Sequence, residues 1–219
     1  MLKMMTKTGM AVLGLSLAVL PVKAVHADES LIETVKAVEA GFGGTARVGF
    51  AMASLSGDDV WTHRGEERFA MSSTFKTFLC AALLEKVDQG EESLSRVIQY
   101  TEDQLVPYSP VTSKHVPYGM TLGALCRATT TISDNTAGNL VLEAIGGPEG
   151  FTEYMRSIGD DVTRLDRWEV ALNESSPGDE RDTTTPVQVI ESLRTVVFGD
   201  VLSEKSQAQM HDWLVGQEV

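Results

Sequence analysis

The chain has 219 residues, of which 42% are hydrophobic, and a formal net charge of −13 at pH 7. That length is enough for one compact domain, or for two lobes, around a sizeable core. Because like charges repel and no local basic patch is visible, the acidic balance disfavours nucleic acid and anionic membranes as partners.

The first 27 residues have the pattern of a secretory signal peptide. Lys3 and Lys7 supply the positive start, residues 10–20 an apolar centre, and residues 25–27 a small-residue cleavage site. No later stretch offers the ~20 uninterrupted apolar residues of a spanning helix. We therefore expect cleavage after Ala27 and a periplasmic or secreted protein without stable membrane association.

Residues 28–68 are predicted to form one helix and one hairpin of an α/β lobe. Apolar residues at helical spacing predict a helix over 30–40, which ends at a glycine-rich break. Residues 47–55 and 60–63 are predicted as partner strands around a turn at 56–59.

Residues 69–214 are predicted to form a helical lobe. Residues 74–87 are apolar on nearly every side, which indicates a helix enclosed by protein. Further helices are predicted at 121–130, 135–145, 148–157, 186–197 and 203–214, with Thr121, Pro186 and Ser203 as starts. A lone two-stranded sheet is marginal in water. Either the protein is mostly helical with one hairpin, or further strands of the sheet lie outside this chain.

One long segment, Asp160 to Thr185, has no sustained periodicity. A loop of this length in a compact domain is usually functional or disordered. Its apolar residues Trp168, Val170 and Leu172 favour an ordered, Ω-type loop.

Ser73 and Lys76 stand three residues apart at the start of the enclosed helix. On a helix they share a face, and a buried lysine tends to become a neutral amine that can accept a proton from a hydroxyl. The alternative is that Ser72 or Ser73 only caps the helix. The spacing alone leaves both open.

Polar groups elsewhere offer weaker signals. Ser133, Asp134 and Asn135 either cap a helix or bring a hydroxyl and an amide to the cleft. Glu169 and Asn173, one helical turn apart, can hold a water between them. Arg167 and Asp182 can close the neck of the loop as an ion pair.

Cys80 and Cys126 form either a disulfide, which is typical of exported proteins, or two buried thiols.

No metal or cofactor is predicted. The histidines at 63, 115 and 211 do not stand in a metal-ligand spacing, and a Ser-His-Asp hydrolase is disfavoured as well.

Four motifs together resemble the class A serine β-lactamases from about residue 31 to 219. They are FAMSSTFK with Ser73 and Lys76, SDN at 133–135, RWEVALN with Glu169 and Asn173, and GDERDTTTP at 178–186. The resemblance implies an α/β (α+β sandwich) fold of the serine β-lactamase/transpeptidase type, with an all-helical lobe and a partial antiparallel sheet. It also implies a monomer that hydrolyses the β-lactam amide of penicillins and cephalosporins, and so confers resistance, without a cofactor.

The resemblance also implies residue roles. Ser73 would form the acyl-enzyme, with Lys76, or Glu169 through a water, as proton acceptor. Ser133 would protonate the leaving nitrogen, Asn135 would bind the substrate amide, and Tyr108 would form the aromatic wall of the cleft. Glu169 and Asn173 would position the hydrolytic water. Cys80 and Cys126 match a disulfide of one branch of the family.

Two departures from the family pattern stand out. Val170 follows the loop glutamate where family members often have proline after a cis peptide. The Lys-Thr-Gly motif is absent, and the family would continue beyond residues 215–219 with three strands and a last helix. In the family, the strand that carries this motif supplies the second oxyanion N–H donor. Because the loss of one oxyanion donor alone lowers turnover ~10²- to 10³-fold, we expect this chain as written to be nearly inactive. A penicillin-binding DD-peptidase and a scaffold that binds β-lactams without hydrolysis are the alternatives.

Overall fold

The computed structural model describes residues 29–43, 45–54 and 59–218. The predicted signal peptide, residues 1–27, and most of the hairpin turn lie outside the described residues. Within the described ranges, no helix combines the length and the apolar character needed to cross a membrane.

Seven helices lie close to the ranges predicted from the sequence. They are α1 (Glu29–Gly41), α2 (Phe75–Asp88), α3 (Leu122–Thr131), α4 (Asn135–Ala144), α5 (Gly147–Ser157), α6 (Pro186–Phe198) and α7 (Glu204–Val215). Thr121 and Ser203 cap α3 and α7, each accepting a hydrogen bond from the backbone N–H three residues later. Pro186 is the first residue of α6, whose cap is Thr185.

Helix α2 is the centre of the helical lobe, as its apolar composition predicts. It packs against α3, α4, α5, α6 and α7, and its residues from Phe75 to Leu84 are buried apart from Thr77. Cys80 and Cys126 are fully buried and form the predicted disulfide, which joins α2 to α3. This arrangement holds the start of α2 in a fixed place relative to the end of α3.

The structure has more strands than the hairpin that the sequence indicates. The hairpin pairs β1 (Phe50–Ala53) with β2 (Val60–His63) in antiparallel register, Phe50 opposite His63. The two-strand prediction was incomplete, because β3 (Phe69–Ala70) pairs with β6 (Thr183–Thr184), and β4 (Val97–Ile98) with β5 (Met120–Thr121). Each of these four strands has two residues, too few for a period-2 pattern to be visible.

The β3–β6 pair links the end of the long loop to the residues before Ser73. Met71 N–H donates to Asp182 O at 2.9 Å, next to the paired residues Ala70 and Thr183. Arg68 strengthens this link by donating to Thr183 Oγ1 at 3.1 Å and to Val162 O at 3.0 Å. The loop from 160 to 185 therefore closes against the segment that leads into α2.

Candidate active site

Ser73 lies in a 3₁₀ turn, Ser72–Thr74, that leads into α2. The capping alternative is wrong: neither Ser72 nor Ser73 caps α2, whose cap position is Thr74 without a side-chain hydrogen bond. The Ser73 hydroxyl instead accepts from Ser133 Oγ at 2.8 Å and from Lys76 Nζ at 3.2 Å. It therefore faces other polar side chains and not the backbone of its own helix.

Lys76 is the centre of this cluster and is only 2% exposed. Its Nζ atom lies 3.0 Å from Ser133 O, 3.1 Å from Ser133 Oγ and 2.5 Å from Asn135 Oδ1. It also forms an ion pair with Glu169 Oε1 at 3.1 Å. Because an ammonium has three N–H groups, these oxygens compete for its protons.

Burial lowers the pKa of the Lys76 amine, because removal from water disfavours the charged form. The negative charges of Glu169 and Asp134 act in the opposite direction and offset part of this effect. The amine is therefore easier to deprotonate than a lysine on the surface, although the two carboxylates oppose this effect.

Asp134 connects the site to a neighbouring segment. Its buried carboxylate accepts from Val111 N and Thr112 N at 2.9 and 3.0 Å, and caps α4 by accepting from Ala137 N at 2.9 Å. Ser133, next to it, has a left-handed backbone with φ of 59°. This conformation turns both its hydroxyl and its carbonyl towards Lys76.

Asn135 and Tyr108 meet through the backbone. Asn135 N–H donates to Tyr108 O at 3.0 Å, and its Nδ2 donates to Pro107 O at 2.9 Å. The Tyr108 side chain is 56% exposed and takes part in none of the hydrogen bonds that join the described residues around Lys76. The backbone of Tyr108 thus lies beside Asn135, and its ring is largely open to solvent.

The loop brings Glu169 and Asn173 to the same cluster. Asn173 Nδ2 donates to Glu169 Oε2 at 2.7 Å, while Glu169 Oε1 faces Lys76. The Glu169 side chain is fully buried, and the Glu169–Val170 peptide is cis. Both carboxylate oxygens of Glu169 are therefore held in fixed directions, one towards Lys76 and one towards Asn173.

The predicted ion pair at the neck of the loop is present. Arg167 Nε donates to Asp182 Oδ2, and Asp182 Oδ1 also accepts from the backbone N–H groups of Arg167 and Asp166 at 3.0 and 2.7 Å. Asp182 is fully buried, so this pair is better shielded from water than an ordinary surface ion pair.

Asn139 was missed in the sequence, although it holds Glu169 directly. Its Oδ1 accepts from Glu169 N at 2.9 Å and its Nδ2 donates to Glu169 O at 3.0 Å. Asn139 lies four residues after Asn135 on α4, hence on the same face. That spacing is the signal that could have identified it.

A cavity of about 300 Å³ lies beside Ser73, Lys76 and Ser133. Its remaining lining includes Thr129, Val189 and Gln217, and its walls are mostly apolar. Among residues 29–43, 45–54 and 59–218, no group of three or more His, Cys, Asp or Glu side chains is arranged to hold a metal ion.

Comparisons with known proteins agree with this geometry. A model described as "Beta-lactamase enzyme family" matches residues 30–219. A structure of a variant of the last common ancestor of Gram-negative bacteria class A beta-lactamase is 52% identical, with a TM-score of 0.84, over 87% of this chain and 71% of that chain. A structure named ancestral class A beta-lactamase is also 52% identical, with a TM-score of 0.82 and the same coverage.

Proposed function

Since this chain belongs to the beta-lactamase enzyme family, with class A enzymes among its similar structures, it is a serine hydrolase of β-lactams, and we propose that Ser73 is its nucleophile. The observation that carries this assignment is the contact of the Ser73 hydroxyl with both Lys76 Nζ and Ser133 Oγ. A hydroxyl held between a proton acceptor and a second hydroxyl is arranged for acyl transfer.

In acylation, Ser73 Oγ attacks the β-lactam carbonyl carbon while its proton passes to the neutral amine of Lys76. The 3.2 Å contact and the lowered pKa of the amine support this direct route. The C–N bond of the ring then breaks, and Ser133 Oγ gives its proton to the departing nitrogen. Lys76, 3.1 Å from Ser133 Oγ, returns a proton to it.

In deacylation, Glu169 and Asn173 hold the attacking water. Glu169 Oε2 already accepts from Asn173 Nδ2 at 2.7 Å, so the two groups converge on one position. The water adds to the ester carbonyl and its proton passes to Glu169. The bond to Ser73 Oγ breaks, and that oxygen receives the proton from Glu169 through the amine of Lys76, which lies 3.1 Å from Glu169 Oε1 and 3.2 Å from Ser73 Oγ. The carboxylate of Glu169 and the neutral amine of Lys76 are thereby restored.

Substrate binding is assigned to residues around the cleft. We place Asn135 at the amide of the substrate side chain, because its amide lies beside Lys76. Tyr108 would contact the substrate with its exposed ring. We further propose that the protein is exported to the periplasm or the medium and acts there as a monomer. Its net charge of −13 supports the absence of nucleic acid and anionic membrane partners.

The experiment that tests this function compares the purified chain with its Ser73→Ala and Glu169→Gln variants. We expect the wild type to hydrolyse a chromogenic cephalosporin at a low but measurable rate, in keeping with the near inactivity expected from the sequence, and Ser73→Ala to form no covalent adduct. Glu169→Gln should accumulate a penicillin adduct on Ser73, visible by intact mass, because its hydrolytic water is not activated. A DD-peptidase would be indifferent to the Glu169 change, and a non-hydrolytic scaffold would keep the adduct even as wild type. Either result contradicts the proposal.

A further inference from the structure

Trp168 lies between Arg167 and Glu169 in the chain. Its side chain contacts a part of the fold that neither of these two residues contacts. A Cβ built on Gly147 would lie 3.3 Å from Trp168 Cζ2 and 3.6 Å from Trp168 Cη2. The six-membered ring of the indole therefore rests against the bare backbone at the start of α5. The side chain is 41% exposed overall, so this contact covers one part of the ring while another part meets solvent.

Three consecutive loop residues are thus fixed by three different parts of the fold. Arg167 is held by Asp182 at the neck of the loop, and Glu169 is held by Asn139 on α4. Between them, the Trp168 ring is held by Gly147 on α5. The polar contacts of Arg167 and Glu169 fix the backbone on either side of Trp168. The contact of the indole with Gly147 fixes the distance between Trp168 and the helical lobe.

The backbone of Trp168 also carries the second water-holding residue. Leu172 lies in the 3₁₀ turn Ala171–Asn173, and its N–H donates to Trp168 O at 3.0 Å. A displacement of Trp168 would therefore move Asn173 as well as Glu169. Ser73, Lys76 and Ser133 lie on other segments and are not hydrogen-bonded to Trp168.

We propose that Trp168, seated on Gly147, is a positioning residue for deacylation. It acts through Glu169 and Asn173 by fixing where their shared water lies, and acylation depends on it much less. This inference rests on the proposed function, because it assumes that Glu169 and Asn173 hold the hydrolytic water. A small displacement is sufficient, since a misplacement of about 1 Å can cost about 10²-fold in rate.

The first test separates the two chemical steps by stopped-flow and quenched-flow mass measurement. Trp168→Ala should slow hydrolysis of the acyl-enzyme by about 10- to 100-fold and change acylation much less, so that a burst precedes a slow steady state. Trp168→Phe, which keeps an aromatic ring over Gly147, should restore most of the rate. Equal slowing of both steps would indicate a general structural defect and overturn the proposal, as would an unchanged deacylation rate.

Two neighbouring glycines supply a matched control. Gly146 and Gly147 both have left-handed backbones, with φ of 102° and 74°, so an alanine at either is strained. Only at Gly147 would the new methyl press on the indole, because at Gly146 it would meet Gly150 Cα at 3.5 Å. We expect Gly147→Ala to slow deacylation and Gly146→Ala to leave it unchanged. The Gly147→Ala effect should also shrink in the Trp168→Ala background, since the two residues are in contact.

Hydrogen exchange separates a failure of this inference from a failure of the proposed function. The amides of Glu169 and Leu172, which donate to Asn139 Oδ1 and Trp168 O, should exchange at least about 10-fold faster in Trp168→Ala than in the wild type. If the wild type forms no acyl-enzyme with a β-lactam and this protection is still lost in Trp168→Ala, the function is wrong and the positioning contact stands. If Trp168→Ala keeps the turnover rate of the wild type and its amide protection is unchanged, the positioning role is wrong.

Discussion

The Cys80–Cys126 disulfide should account for a large part of the stability of the helical lobe. The bridge spans a sequence separation of 46 residues. In the chain-entropy treatment, closing a loop of this length destabilises the unfolded chain by about 4 kcal/mol at 25 °C. Both cysteines are fully buried, so the bridge also joins two helices that already pack against each other.

The corresponding perturbation is the double variant Cys80→Ala/Cys126→Ala, unfolded in urea and by heat. We expect the free energy of unfolding to fall by about 4 kcal/mol. For a domain of this size the melting temperature should fall by roughly 8–16 °C, at about 2–4 °C for each kcal/mol. At temperatures where it is folded, the variant should keep the acylation rate of the wild type, because neither sulfur contacts the reacting groups.

The wild type under reducing conditions is the control for this variant. Reduction should lower its urea midpoint towards that of the double variant, while the variant itself should not respond to the reductant. A loss of less than about 1 kcal/mol, or a variant that still responds to reductant, would refute the reasoning, because the loop-closure effect would then be absent.

Three further changes follow from single groups in the structure. Glu85→Gln should stabilise the fold at neutral pH, because burial raises the pKa of the Glu85 carboxyl above 4.5. As the pH rises from about 4.5 through the raised pKa, the free energy of unfolding of the wild type should fall relative to that of the variant. At lower pH the urea midpoints of the two proteins should converge. Thr129→Val should add about 1 kcal/mol to the free energy of unfolding, because Thr129 Oγ1 is buried without a hydrogen-bond partner among the described residues, and a lower urea midpoint would disprove this. Glu169→Gln should move the pH midpoint of acylation, followed by stopped flow, to lower pH, since the charge of Glu169 raises the pKa of Lys76; a midpoint at the same or higher pH would argue against Lys76 as the proton acceptor.

The sequence predicted those parts of the site that depend on local pattern. A helix apolar on every side implied that Lys76 would be buried, and the structure confirms its exposure of only 2%. The i, i+4 spacing of Glu169 and Asn173 predicted that the two side chains face each other with a water between them, and the structure brings them together in a direct hydrogen bond of 2.7 Å. In both cases a helical repeat or a single turn was enough to bring the side chains together.

Several contacts between distant segments were not visible in the sequence. Asn139 looked like an ordinary polar residue on a helix, because its partner Glu169 lies 30 residues away on an irregular segment. The pairing of β3 with β6 involves two residues on each side, and so leaves no alternating pattern to detect. The left-handed backbone of Ser133 was also hidden, since serine has no strong preference for that conformation.

The residues of the Lys76 cluster lie far apart in the chain, and this affects when the enzyme becomes active during folding. Lys76 meets Ser133 and Asn135 across 57 and 59 residues, and the β3–β6 region closes through an Arg68–Thr183 bond across 115 residues. Contacts of such long range form late, because the entropy of loop closure must be overcome first. Hydrolytic activity should therefore return after the helical signal during refolding. A chain still emerging from the ribosome would have α2 complete and yet be unable to react with a β-lactam.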